Sequence, residues 1–109
     1  MGDLCGLSFR ARIQLETRLA ILICLSDAPE YTATDGILHG YLVGIGLGES
    51  YDAIRSHLAW LDEQGLVIRQ TAGGQLGMTL ATLTQAGQDV SAGRSQVPGV
   101  ARPRPRSGI

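Results

Sequence analysis

Apolar positions recur along this chain at helical spacing in three stretches and alternate in two others. In RIQLETRLAILICLSD, Leu15, Leu19 and Leu22 share one helical face, and Ile21, Ile23 and Leu25 widen it, which predicts a largely buried first helix. DAPEYTATDG interrupts the pattern, because Pro29 has no N–H to donate, and Thr34 is placed to cap the next helix. In DGILHGYLVGIG, Ile37, Leu38, Tyr41, Leu42 and Ile45 form one face of a second helix. Gly40 and Gly44 weaken it by up to about 1 kcal/mol each relative to alanine. The turn GLGES ends in Ser50, a good cap for a third helix over residues 50–64. There Ile54, Leu58 and Leu61 fall at i, i+4 and i+7, while Asp52, Arg55, Ser56, Ala59 and Asp62 occupy the other face. Gly65 ends that helix. LVIRQT and LGMTLATL alternate as two strands around AGGQ, whose adjacent glycines suit a tight turn, so residues 66–83 read as a hairpin. Thr84 caps a short last helix, TQAGQDVSAG, that Gly93 closes. In VPGVARPRPRSGI, Pro98, Pro103 and Pro105 with two glycines predict an extended, mobile tail.

At 109 residues the chain suits one domain, divided as an N-terminal segment (1–11), a folded domain (12–93) and a basic Pro/Arg tail (94–109). The expected class is mainly α with a small β-hairpin, an α+β fold. A composition of 44% hydrophobic and 17% charged residues is that of a globular chain, too apolar for general disorder. The net charge of −1 conceals an asymmetry. Residues 1–93 hold all ten acids against five arginines, whereas residues 94–109 hold four arginines and no acid. Lysine is absent, so every cation is a guanidinium able to fork onto phosphate or carboxylate, a bias that a GC-rich coding sequence also produces. The longest apolar run, LAILICL, is seven residues, far short of the ~20 that a membrane span needs. Cys5 and Cys24 form no CxxC and follow no signal peptide, which predicts a reduced, cytoplasmic chain without membrane contact.

The order helix, helix, turn, helix, hairpin, helix is that of a winged helix-turn-helix domain: a three-helix core, a two-stranded wing, a short C-terminal helix and here an extended tail. IRSHLAWLDEQGLV resembles the recognition helix and first wing strand of small bacterial repressors of the ArsR, MarR and PadR kinds, and LATLTQAGQDVSAG resembles their second wing strand and closing helix. The chain further resembles a family of small winged-helix proteins of Mu-like phages and prophages, through ETRLAILICLSDAPEY, SHLAWLDEQGLV, LTQAGQDVSAGR and VPGVARPRPR. The resemblance implies a DNA-binding fold. The chain departs from the repressors in having few cations on the third helix and wing and no cysteine there, so no metal site is carried over.

Arg55, beside Ser56 on the free face of the third helix, suits a bidentate contact with guanine O6 and N7, worth about 1–3 kcal/mol of discrimination. It equally suits pairing with Asp52 or Glu63. Ser50 and Tyr51 open the same face. On the first wing strand Arg69 and Gln70, with Gln75 in the turn, suit contact with the DNA backbone, although an exposed strand arginine is also ordinary solvated surface. In ARPRPR an extended backbone splays Arg102, Arg104 and Arg106, as a minor-groove arm requires; the alternatives are a disordered solubilising end, or an arm that docks on the acidic body of this or another subunit. GIGLGES lacks the Gly-Lys-Ser/Thr ending of a phosphate loop and reads as a turn. His39 and His57 lie eighteen positions apart on different helices and read as structural, Trp60 as core or subunit contact, and Cys24 as a small buried hydrophobe. There is no nucleophile–base pair, metal-ligand spacing or cofactor fingerprint, so no enzyme, metal or cofactor is expected. The expected function is double-stranded DNA binding by a phage or prophage transcriptional regulator. It would act as a homodimer joined through the first helix or N-terminal segment, placing two recognition helices about 34 Å apart. The alternative is a protein-interaction adaptor that keeps the scaffold, has lost DNA binding and contacts a phage or host protein.

Overall fold

The structure, a computed structural model, describes residues 8–72 and 77–104. Helix α1 spans Phe9–Asp27 and is capped by Ser8, whose Oγ accepts from the Ala11 N–H at 3.0 Å. Residues 9–11, expected in an N-terminal segment, therefore belong to the first helix. Leu19, Ala20, Ile21, Leu22 and Leu25 bury its inner face, and it stops before Pro29. A single 3₁₀ turn, Pro29–Tyr31, leads into a short strand β1, Thr32–Thr34. Helix α2 (Asp35–Gly44) and helix α3 (Tyr51–Glu63) are capped by Thr34 and Ser50 through side-chain bonds to the third amide onward, as their positions predict. Strands β2 (Val67–Ala72) and β3 (Met78–Leu83) form the hairpin, and Thr84 caps the closing helix α4 (Gln85–Ser91). The expected turn residues 73–76, Gln75 among them, lie outside the described residues, as does Cys5.

The sheet corrects the two-stranded expectation. Strand β3 is central, with β2 antiparallel on one side and β1 antiparallel on the other. Three residues are too few to show a period, yet TAT pairs Thr32 with Thr82, Ala33 with Ala81 and Thr34 with Leu80, and the Thr32 and Thr82 hydroxyls hydrogen-bond at 2.9 Å. Among the described residues, four α-helices on a three-stranded antiparallel sheet make an α+β arrangement compatible with a winged-helix-like fold.

Ile54, Leu58 and Leu61 of α3 are fully buried against Ile21, Leu22 and Leu25 of α1, Leu38 and Leu42 of α2, and Val67, Ala81 and Leu83 of the sheet, in one core. The apolar face expected of α2 is only partly used. Leu38 and Leu42 are buried, but Ile37 and Ile45 remain 60% and 48% exposed. No helix among the described residues is long and apolar enough to cross a membrane.

The expected mobile tail is in part a strap. Val100 is buried, Val97 and Ala101 pack on the core, and the Ala101 N–H donates to the Leu15 carbonyl at 3.1 Å. Gly99 makes this path possible. Its φ of +101° favours glycine, and a Cβ there would come within 2.5 Å of Trp60 Cζ2. Proline content predicted an irregular segment, which turns at residues 98–100 instead of extending throughout, and could not reveal that three small apolar residues beside Pro98 have a surface to cover.

Gly87 in α4 is similarly confined, because a Cβ would overlap the Leu66 carbonyl and stand 2.6 Å from Leu83 Cδ1. Gly87→Ala should destabilise the fold by about 3 kcal/mol, since backbone rather than a flexible side chain must move. Urea unfolding followed by circular dichroism measures the change.

Candidate nucleic-acid interface

The N-terminal half of α3 and the start of α2 build one exposed corner. Ser50 uses its hydroxyl to accept from the Ala53 N–H at 3.1 Å, which fixes the first turn of α3. Tyr51 comes next, 43% exposed, with its ring stacked on His39 of α2 at 4.4 Å between centroids and 5° between planes. Arg55, one turn on, donates from Nε to Asp35 Oδ2 at 2.9 Å, lies 3.6 Å from Asp52 through Nη1, and holds its guanidinium 5.7 Å from the Tyr51 ring. Asp35 is the first residue of α2, where the helix dipole favours a carboxylate, and its side chain is only 5% exposed. Ser56 is exposed beside them.

Four expected residues, Ser50, Tyr51, Arg55 and Ser56, thus share one surface. Arg69 and Gln70 are exposed on β2, and Arg69 donates from Nε to Asp62 Oδ2 of α3 at 3.0 Å, which ties the hairpin to the helix. Of the carboxylates expected near Arg55, Asp52 is there; the closer partner is Asp35. Asp35 and His39 are the contributions that the sequence did not disclose. Asp35 could be placed in a first helical turn, but its pairing across twenty positions depends on how α2 crosses α3. Arg102 and Arg104 stand elsewhere, exposed on a cleft between α1 and α4 to which α3 contributes no residue. Arg106 lies outside the described residues.

The inner side of α3 carries a second polar cluster. Buried His57 accepts from Arg18 Nε through Nδ1 at 3.2 Å, and its Nε2 lies 3.7 Å from Glu49 Oε1. Glu49 in turn accepts from the buried Thr17 hydroxyl at 3.4 Å. Burial pushes the His57 pKa below its usual 6.5 and the Arg18 guanidinium acts in the same direction, against the Glu49 carboxylate. A ring whose Nδ1 accepts is neutral, and this one is built into the helix packing. Trp60 lies under the Arg18 guanidinium, 4.1 Å from the ring centroid. Cys24 is half-buried, and burial with Asp27 nearby raises its thiol pKa, which disfavours the reactive thiolate. Among the described residues, no three His, Cys, Asp or Glu side chains gather as metal ligands.

No protein-family model matches the chain. It is 42% identical over 92 residues to the uncharacterized protein gp26 of Escherichia phage Mu, an alignment covering 84% of this chain and 92% of that protein. The chain belongs to the gp26 family of phage Mu. An uncharacterized protein of Haemophilus influenzae is similar too, 37% identical over 79 residues, which cover 72% of this chain and 74% of that one. The gp26 alignment covers most of the chain, and the link to Mu-like phages that the sequence motifs suggest is supported by it.

The lowered pKa of His57 makes the fold sensitive to acid. Below pH 6.5 the unfolded chain binds the His57 proton before the folded chain does, so stability falls as pH falls through this range. One such proton gives a slope of at most about 1.4 kcal/mol per pH unit. His57→Gln, whose side-chain oxygen can still accept from Arg18, should flatten the profile between about pH 7.5 and about pH 5.5. Urea unfolding of both proteins across that range measures the difference.

Proposed function

We infer that this gp26-family protein is a double-stranded DNA-binding transcriptional regulator of a phage or prophage, built on a winged helix-turn-helix and acting as a homodimer. It is a binding protein rather than an enzyme and uses no cofactor. Helix α3 enters the major groove with Ser50, Tyr51, Arg55 and Ser56 toward the bases, while Arg69 and Gln70 of the hairpin meet the flanking backbone. Arg102, Arg104 and Arg106 add cationic reach along the DNA.

The observation that carries this reading is the setting of Arg55. Its Nε is held by the nearly buried Asp35, so the guanidinium is oriented before any ligand arrives; its Nη groups, of which Nη1 lies 3.6 Å from the exposed Asp52, are in no hydrogen bond among the described residues and remain for a forked contact. The Arg69–Asp62 pair is different, since both side chains are more than a third exposed. Such pairs are worth about 0–1 kcal/mol, and a phosphate can replace the carboxylate at little cost. Fixed arginine on the helix and exchangeable arginine on the hairpin suit base reading and backbone contact respectively.

A second reading is favoured by the carboxylates themselves. Asp35, Asp52 and Asp62 accompany both arginines, and an adaptor that presents this corner to a phage or host protein has no need to shed them. Selection from a random duplex library and subsequent titration separate the two. A regulator should enrich a palindromic motif, bind it with an affinity that falls log-linearly with salt, and lose about 5- to 100-fold with Arg55→Ala. Absence of duplex binding at low salt would leave the adaptor.

A further inference from the structure

A cleft between α1 and α4 is lined by no residue of α3. It has a volume of about 900 Å³, within the roughly 300–1,000 Å³ typical of small-molecule sites. Leu19 and Ile23 of α1 supply apolar floor, Gln88 and Ser91 of α4 a polar side, and the strap closes it with Arg102, Pro103 and Arg104. Glu16 and Asp27 of α1 also line it. Five ionised groups of both signs therefore line one cleft; Arg94 is paired with Asp89 at 3.0 Å, whereas among the described residues Glu16, Asp27, Arg102 and Arg104 are in no ion pair. Opposite charges that line one cavity without touching leave room for a ligand to bridge them.

Tyr31 gives the cleft an aromatic wall, and its backbone is strained. Glu30 and Tyr31, both non-glycine, hold φ values of 56° and 60°. Two consecutive residues in that region are energetically unfavourable, and such strain concentrates where a side chain must be presented in a particular direction. The backbone leading to the arginines is fixed as well, because the strap just before them is held by the Ala101 to Leu15 bond and by Arg18 on the Gly99 carbonyl at 3.1 Å.

We propose that this cleft binds a nucleoside phosphate. The guanidinium groups of Arg102 and Arg104 take the phosphate, which their planar forks match. Tyr31 stacks on the base over the apolar floor. Asp27, at the end of α1 and four residues before Tyr31, accepts from an exocyclic amine of the base. A simple inorganic anion would use the arginines alone and leave the aromatic wall and Asp27 without a partner. The assignment does not rest on DNA reading by α3, which shares no residue with the cleft.

Calorimetric titration of the full chain with the 5′-monophosphates of adenosine, cytidine and uridine, with adenosine and with inorganic phosphate tests it. The adenine and cytosine nucleotides should bind at least about tenfold more tightly than uridine monophosphate, adenosine or phosphate. Arg102→Gln with Arg104→Gln should weaken them about tenfold or more, and Tyr31→Ala should do so for the nucleotides without changing the response to phosphate. These side chains are exposed, and circular dichroism checks that each variant folds. Lack of any nucleotide binding below about 1 mM, phosphate bound as tightly as the nucleotides, or binding indifferent to the substitutions would each overturn the assignment.

Discussion

Arg18 is the side chain on which the arrangement of separate parts depends. From the middle of α1 it donates to His57 on α3, donates to the Gly99 carbonyl of the strap, and lies over the Trp60 ring. A small domain has few apolar residues to spare, and the core here is built from short aliphatic side chains with little area each. A guanidinium meets the problem differently. Its five donors and planar face can join three chain segments at once, and it is only weakly hydrated, so partial burial costs it less than an ammonium. His57 must be neutral to accept from it, and burial together with the neighbouring cation keeps the ring so. Glu49, linked to Thr17 and close to the far side of the ring, completes the cluster and leaves no buried side-chain polar atom without a partner among the described residues.

What could be read in the chain was local. Ser50, Thr34 and Thr84 cap helices through bonds to the third residue on, and Ile54, Leu58 and Leu61 share a face through helical period alone; neither depends on the rest of the molecule. The strand β1 was invisible because three residues show no alternation and its partner lies fifty positions away. The strap was invisible for a related reason. Val97, Val100 and Ala101 are too few to form a stripe, and their destination is set by Arg18, eighty-one positions from Gly99. Candidate residues behaved the same way. The exposed face of α3 came from period, whereas the partners of Arg55 and the surroundings of Arg102 and Arg104 depended on how helices cross.

The contrast between the two surfaces lies in how their charges are arranged. On the α3 surface Arg55 and Arg69 each have a carboxylate within 3.0 Å, while in the cleft Arg94 pairs with Asp89 and, among the described residues, Glu16, Asp27, Arg102 and Arg104 share the cavity outside any ion pair. Pairing of the first kind is usually read as neutralisation that lowers affinity for an anion. That holds for Asp52, whose side chain is 97% exposed, and for Asp62, because both remain charged beside an approaching phosphate.

Asp35 acts otherwise. It begins α2, where the helix dipole favours its charge, and it is almost wholly covered, so most of its field is spent on Arg55 and on the amides of its own helix. The pair joins the start of α2 to the first turn of α3 and limits the Arg55 rotamers, with the Tyr51 ring beside them. An exposed arginine free in solvent would lose that rotamer freedom on binding; one already held loses less, and the difference appears as affinity and directional preference. The carboxylate nearest to Arg55 is therefore better understood as the group that aims it. In the proposed DNA contact, the order imposed on the arginine at the centre of this face would offset in part its weak cationic charge.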